Sequence, residues 1–308
     1  MNVKDFDIDV IRSQEYDMVI FSSGYEARCI HAPKQIEDLR GFNSCTFGFK
    51  SYIGDLRKTH DKYYEDVWNS ERLSLSADEA KPIYDCLNEK FRSRSRPLKL
   101  LIDYSSMSRL WYAAILNWCK FSSTSFSITL DFIYSLAKYD KSYPRSIVIN
   151  RILAIPGFEG DLLHDRIVSV FGLGYSGLMT QCILEQLEPD ELYSYYASPG
   201  VSEDSENRVV NENRDIIDHS EHVLKLPIRS VETTVRYLAE LVIPNIGKKG
   251  VILIPMGPKP HVLAALLVSV KHNKVANFRV STQRDKPEEI MPTGEILLTR
   301  VSLDNQVI

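Results

Sequence analysis

The chain has 308 residues, 44% of them hydrophobic and 25% charged, a globular composition whose length suggests about two domains. A net charge of −4 leaves no global basic footprint, so partnership with duplex nucleic acid through wholesale phosphate neutralisation is not expected. The five scattered cysteines (Cys29, Cys45, Cys86, Cys119, Cys182) form no C-x-x-C and no Cys/His pair at zinc-ligand spacing; they argue against a disulfide framework or a metal site and read as buried apolar residues.

The polar lead carries no apolar leader, and no run approaches the roughly 18 apolar residues that cross a bilayer, so the expected setting is cytoplasmic, without a membrane. A first strand is expected over 18–21 and a helix over 30–39, beyond the turn Ser22-Ser23-Gly24. A strand over 45–49 precedes a long variable stretch with Tyr52, Tyr63, Tyr64 and Trp68. The helix expected near 78–92 runs into Arg92, Arg94 and Arg96, where cations suit the negative helix end. The stretch 98–103 is almost continuously apolar, as in a strand covered on both faces, and gives way to a helix over 110–120. Strands over 128–135 and 147–154 follow, and 156–161 has a linker's composition.

From Arg166 the order restarts, with a strand over 167–171, a glycine turn, a helix over 178–187 and a strand over 192–197. The polar run 199–222 is expected to be a mobile insertion. A helix over 231–241, a strand over 251–254, a helix over 261–270 and strands over 277–281 and 295–301 close the chain.

Two turns organise this series. Phe21-Ser22-Ser23-Gly24-Tyr25 and Phe171-Gly172-Leu173-Gly174-Tyr175 each end an apolar run in small residues and open an amphipathic segment, as where a parallel strand hands over to a helix in a nucleotide-binding unit. Ala113-Ala114 falls on Ala264-Ala265, Asn150-Arg151-Ile152 on Thr299-Arg300-Val301 and Pro144 on Pro292, all at offsets close to 150 residues. Matches in one order at a near-constant offset point to an internal duplication. The expected fold class is therefore α/β: two tandem Rossmann-like lobes, residues 1–156 and 161–308, with mostly parallel sheets covered by helices and crevices facing one another.

In such sheets ligands lie outside the carboxyl ends of the strands, where backbone N–H groups and helix N-termini favour anions. The candidate ligand contacts are Ser22, Ser23, Gly24, Tyr25, Arg28, Asp103, Ser105, Ser106 and Arg109 in the first half, and Gly172, Gly174, Tyr175, Ser176, Gly257, Lys259 and His261 in the second. Arg109 and Lys259 each stand before an apolar helix and read as phosphate-holding cations or as solvated surface. Tyr25 and Tyr175 stack on bases or pack under their turns. Asp103 is a candidate general base or ribose ligand, or a helix cap; Glu26 beside Arg28 is a second acid–base candidate or a solvated cap. His261 reads as a cap or surface residue rather than a catalyst. No G-x-S-x-G elbow, P-loop or H-E-x-x-H is present, which favours a binding protein over an enzyme.

Two resemblances sharpen this. Gly172-x-Gly174-x-x-Gly177 fits the dinucleotide fingerprint, and its turn resembles that of UDP-sugar dehydrogenases and related NAD enzymes, which implies NAD(P) as an alternative cofactor; the next strand, however, ends at Ala197-Ser198, where those enzymes carry an acidic residue. Asp103-Tyr104-Ser105-Ser106-Met107-Ser108-Arg109 and Pro255-Met256-Gly257-Pro258-Lys259-Pro260-His261 resemble the CARF domain, the Rossmann-like sensor of CRISPR-associated and other prokaryotic defence proteins, in which a small-residue turn, a Lys and a helix touch a cyclic oligonucleotide. The family's Gly-Gly-Thr-Lys stands here as Gly257-Pro258-Lys259 and as Ser106-Met107-Ser108-Arg109. The resemblance implies a nucleotide-ligand-binding sensor or regulatory subunit of a prokaryotic antiviral defence system. With both lobes used up by the fold, it would act through a partner protein. An enzyme acting on a nucleotide or using NAD(P) at the 172–177 turn is the alternative, and a ligand-free scaffold the third reading.

Overall fold

The computed structural model describes residues 1–51, 53–140, 148–283 and 290–304. Its first half contains strands β1 (Asn2–Phe6), β2 (Met18–Ser23), β3 (Ser44–Phe49), β4 (Glu71–Leu75), β5 (Leu98–Asp103), β6 (Ile128–Ala137) and β7 (Val148–Ala154), and helices α1 (His31–Gln35), α2 (Asp55–Trp68), α3 (Lys81–Phe91) and α4 (Arg109–Ser122). The second half continues with β8 (Ile167–Gly172), β9 (Glu191–Ala197), β10 (His222–Leu226), β11 (Gly250–Pro255), β12 (Val275–Gln283) and β13 (Pro292–Leu303), and with α5 (Gly177–Leu187), α6 (Glu203–Glu212), α7 (Arg214–His219), α8 (Val231–Val242) and α9 (Lys259–Lys271).

The stretch 98–103, expected as a strand covered on both faces, is the central β5, and its neighbour β2 and the second sheet's β11 are buried along their whole length. Around them the same parallel order is built twice, β4-β3-β2-β5-β6 in one sheet and β10-β9-β8-β11-β12 in the other, each being 3-2-1-4-5 when its own strands are counted along the chain. This is the doubly wound Rossmann-like order. The α/β expectation and its repetition are thus realised. Phe21 and Phe171 occupy central strands, and the Ala113-Ala114 and Ala264-Ala265 pairs are buried in α4 and α9. Pro144 and Tyr52 lie outside the described residues.

The unit boundaries differ from the expected blocks 1–156 and 161–308. One unit is Met1–Lys138 with Lys286–Ile308; the other is Tyr139–Asp285. The reason is an exchange of sixth strands. β7 runs antiparallel beside β12, and β13 antiparallel beside β6, with β1 antiparallel on the far side of β13. Residues 156–161 are consequently not a linker. Ile155 N–H donates to Asn277 O at 2.8 Å, Asn277 N–H to Phe158 O at 2.8 Å and Asp161 N–H to Lys274 O at 2.9 Å, so the segment is laced onto β12. Its Pro and Gly residues mark a turn, with Gly160 at φ +67° and its backbone pressed on Ala276.

Other departures share one cause, polar residues standing where the local pattern offers no apolar stripe. The run 199–222 is α6, α7 and the start of β10 rather than a mobile insertion. Ser202 and Ser205 cap α6 reciprocally, at 3.1 and 3.3 Å, and Glu203, Asp204 and Glu206 suit its positive end, while Val209 and Ile216 are buried beneath. The variable stretch holds α2, whose buried face is Arg57, His60, Tyr64 and Trp68. The helix expected over 30–39 is α1 between two short 3-10 turns, broken where Ile36 takes φ −120°. The edge strands β1, β4 and β10 are half polar. Four cysteines are buried and Cys182 is half-buried, all as free thiols, and among the described residues no helix is long and apolar enough to cross a membrane.

The exchanged β13 is pinned by charge. Arg300 donates through Nε and Nη2 to the two oxygens of Asp131 at 2.7 and 2.8 Å, directly across from it on β6, and Tyr16 OH donates to the same carboxylate at 2.5 Å. Asp131 is wholly buried, and burial with this carboxylate pushes the Tyr16 phenol well above its usual range. Arg300→Ala leaves that carboxylate buried without its counterion, for which about 3–5 kcal/mol of destabilisation is expected in urea denaturation; a cost within about 0.5 kcal/mol would contradict the pairing.

Candidate functional site

β2 and β5 are neighbours from which the chain proceeds to opposite sides of the sheet, which makes their carboxyl ends the switch point of the first unit. Two turns meet there. A Cβ added to Gly24 would lie 3.8 Å from Ser106 Cβ and 3.6 Å from the Phe49 ring, and Ser106 Oγ donates to Glu26 Oε2 at 3.4 Å. The pair read as ligand-facing or as a solvated cap is largely withdrawn from solvent: Arg28 Nε lies 2.6 Å from Glu26 Oε2, with the side chains 4% and 12% exposed. Arg28 Nη1 donates to Tyr134 OH at 2.8 Å. Burial works against the Arg28 charge, but Glu26 and Tyr134 outweigh it and hold the guanidinium protonated. Arg28 is therefore committed to fixing Glu26, and the crevice here presents an oriented carboxylate.

Asp103 closes its own turn. Its Oδ1 accepts the backbone N–H of Ser105 at 3.0 Å and the Ser105 hydroxyl, an Asx-type turn, while α4 takes its cap from Ser108 Oγ, 3.3 Å from Leu110 N. Ser105 Oγ in turn accepts from Ser135 N–H at 2.7 Å, and Ser135 Oγ is 3.1 Å from His31 Nδ1. Burial pushes the His31 pKa down. Ser23 Oγ donates to Asp61 at 2.6 Å and accepts from Arg57 Nε at 2.9 Å; the Ser22 hydroxyl is buried without a partner among the described residues. His60 Nδ1 is 2.8 Å from Gly24 O, and Tyr25 sits 6.4 Å from Phe49, ring to ring. Arg109 is the first residue of α4 and partly exposed.

The equivalent turns of the second unit are filled by the chain itself. A Cβ on Gly172 would meet the Tyr195 ring at 2.6 Å and Pro255 Cα at 3.1 Å, one on Gly174 the Met256 carbonyl oxygen at 2.8 Å, one on Gly177 the Glu212 carbonyl oxygen at 1.6 Å, and one on Gly257 the Leu173 carbonyl oxygen at 3.0 Å. Met256 N–H donates to Gly172 O at 2.8 Å and Asn213 Nδ2 to Gly174 O at 2.8 Å, further tying the turn shut. These glycines serve close packing. In a dinucleotide site the middle glycine leaves room for the pyrophosphate, and here Met256 occupies that room, so the turn does not fit NAD(P). Ser176 caps α5 and Lys259 opens α9. Tyr175 lies 5.4 Å, ring to ring, from Tyr139 at a tilt of 52°, with Arg208 5.2 Å from its ring, so it packs at its turn. His261, read as a cap or surface residue and a candidate ligand contact, is 1% exposed against Tyr195 with Nε2 3.4 Å from Pro227 O; burial pushes its pKa down to about 4, leaving it neutral at pH 7.

No family model matches the chain, and no curated protein matches its sequence. Among solved structures it is similar to the cytoplasmic domain of a prokaryotic cation chloride cotransporter (9% identity, covering 87% of this chain and 95% of that one, TM-score 0.25). It is similar also to a universal stress protein from Archaeoglobus fulgidus DSM 4304 (10% identity, 87% and 97%, TM-score 0.24) and to a ketoreductase domain from the bacillaene assembly line (12% identity, 89% and 69%, TM-score 0.21). At such TM-scores these likenesses carry no argument. The fold class rests on the strand order, and the chemistry of the site on the side chains at the switch points.

The first unit gathers Ser22, Ser23, Gly24, Glu26, Arg28, Asp103, Ser105 and Ser106 at one end of its sheet, joined by His31, Arg57, His60, Asp61, Tyr134 and Ser135, which were not among the candidates expected from sequence. Tyr134 and Ser135 close the strand expected over 128–135 and His31 lies in the helix expected over 30–39, whereas Arg57, His60 and Asp61 sit in the variable stretch, which has no legible apolar pattern. Chemically, the place offers hydrogen-bond acceptors held by arginines and, at the start of α4, a helix N-terminus beside a cation. Among the described residues no group of three His, Cys, Asp or Glu side chains is arranged to hold a metal.

Proposed function

We propose that the chain is a nucleotide-ligand-binding sensor or regulatory subunit, with the ligand at the 22–28 and 103–109 turns of the first unit. The carrying observation is the asymmetry between the repeats: the first switch point is lined by fixed polar groups, whereas the second is packed by Met256, Tyr195 and Glu212. Glu26, oriented by Arg28, suits the hydroxyls of a sugar, and the start of α4 with Arg109 suits a phosphate. The CARF resemblance puts the cyclic oligonucleotides of prokaryotic antiviral defence first among ligands to try. An enzymatic reading through NAD(P) loses ground because the Gly174 approach is occupied.

The test starts with denaturing the purified protein and identifying released small molecules by mass spectrometry, followed by thermal shifts with NAD(P), mononucleotides and cyclic oligonucleotides. A nucleotide at a hundredfold excess over its Kd is expected to add about 2.7 kcal/mol of stability. Glu26→Gln and Arg109→Ala should each weaken that ligand at least about tenfold, the loss of one charge-assisted contact. Absence of any nucleotide effect, or an effect indifferent to both substitutions, defeats the proposal.

A further inference from the structure

Beside the switch point, across the carboxyl ends of β2 and β3, stands a charge cluster that adjoins the proposed nucleotide site through Ser23, Arg57 and Asp61 and reaches beyond it to Arg72. Asp61 on α2 bridges two arginines: Arg57 Nε lies 2.7 Å from Oδ1 and Arg72 Nη2 lies 2.8 Å from Oδ2. Both guanidinium groups converge on Gly48, where a Cβ would be 2.4 Å from Arg57 Nη2 and 3.4 Å from Arg72 Nε. Two cations on one carboxylate leave one positive charge in excess. Independently, the Arg57 side chain is 1% exposed, its Nε is taken by Ser23 and Asp61 and its Nη1 by Phe49 O at 2.8 Å, but its Nη2 is buried without a partner among the described residues. A buried, unsatisfied donor on a charged group is costly, and such a group in a native fold calls for an acceptor, which no described residue supplies here. Arg72, 48% exposed, links the cluster to solvent. Gly48 lets the guanidinium lie against β3, because any side chain there would displace it.

We infer that Arg57 and Arg72 form an anion site for a phosphoryl group, which completes the Arg57 donor set and balances the surplus charge, with Asp61 and Ser23 holding Arg57 in place. The group is either inorganic phosphate or the phosphate of a nucleotide whose remainder lies elsewhere. This site stands on the arginine geometry alone and goes beyond the nucleotide reading.

The experiment uses the full chain at constant ionic strength set with sodium chloride, reading the melting temperature against inorganic phosphate, pyrophosphate and adenosine 5′-monophosphate, in wild type, Arg72→Ala and Arg72→Lys. Saturable stabilisation by at least one probe is expected, with the half-saturating concentration raised about tenfold or more in Arg72→Ala and partly restored in Arg72→Lys. Phosphate or pyrophosphate acting without the mononucleotide identifies a free anion; the mononucleotide acting more strongly identifies a nucleotide phosphate. Because Arg57→Ala removes a buried partner of Asp61 and is liable to unfold, Gly48→Ala serves as the second variant and should weaken the same response. No response beyond chloride, or a response unchanged in Arg72→Ala and Gly48→Ala, overturns the site and leaves Arg57 to water. Nucleotide binding that depends on Glu26 but not on Arg72 overturns this inference while leaving the nucleotide proposal intact.

Discussion

Separated polypeptides of residues 1–156 and 157–308 will each fail to fold, whereas residues 139–285 alone will fold. The first pair follows the sequence duplication; the last fragment follows the sheets. Cutting at 156 deprives the first sheet of β13, which lies between β6 and β1, so β1 loses its only hydrogen-bonded neighbour among the described strands and Asp131 loses Arg300. The same cut deprives β12 of β7. In residues 1–156 the unpaired buried carboxylate alone costs about 3–5 kcal/mol beside the lost strand, and residues 157–308 lose β7 and carry β13 without its partners, against a typical domain's whole stability of about 5–15 kcal/mol. Far-UV circular dichroism and thermal melting decide the matter: cooperative unfolding is expected for 139–285 and absent for 157–308. Native-like melting of 157–308 would show that the sixth strands are not exchanged.

The second large effect is at Gly177. A Cβ there would stand 1.6 Å from the carbonyl oxygen of Glu212 and 2.6 Å from its carbon, both backbone atoms at the end of α6, so α5 and α6 must move apart. Gly177→Ala is expected to cost more than about 3 kcal/mol, at or beyond the usual range for overpacking. Gly24→Ala, whose nearest neighbours would be at 3.6 Å, should cost under about 1 kcal/mol. Chemical denaturation of the two variants measures both. Equal, small costs would mean that the glycine turn is not a packing device and would restore its claim as a ligand turn.

The legible part of the sequence is set by burial. Parallel strands covered on both faces are almost continuously apolar, so β2, β5, β8 and β11 announce themselves, and the small residues after them mark the turns. The edge strands do not, since β1, β4 and β10 carry charged residues on an open side. Nor does any local pattern say which sheet a strand joins: Asn150-Arg151-Ile152 and Thr299-Arg300-Val301 look alike, and only the partner strands β12 and β6 reveal the exchange. The same limit applies to the site. Turn positions are readable, but the engagement of each charge is not. Arg28 has the look of a ligand contact and instead holds Glu26, while Arg57, on a helix whose buried face is half polar, gives no signal at all. His261 follows a proline at a helix start, which suggests exposure, yet α9 is buried almost throughout.

Hydrogen–deuterium exchange of the intact chain, with and without the nucleotide that gives the largest thermal shift, tests the placement of the ligand most directly. Slowed exchange of backbone amides is expected within 22–28 and 103–109, with 172–177 and 255–261 unchanged. Protection confined to 172–177 and 255–261, with the first unit unaffected, would contradict that placement and return the ligand to the glycine turn.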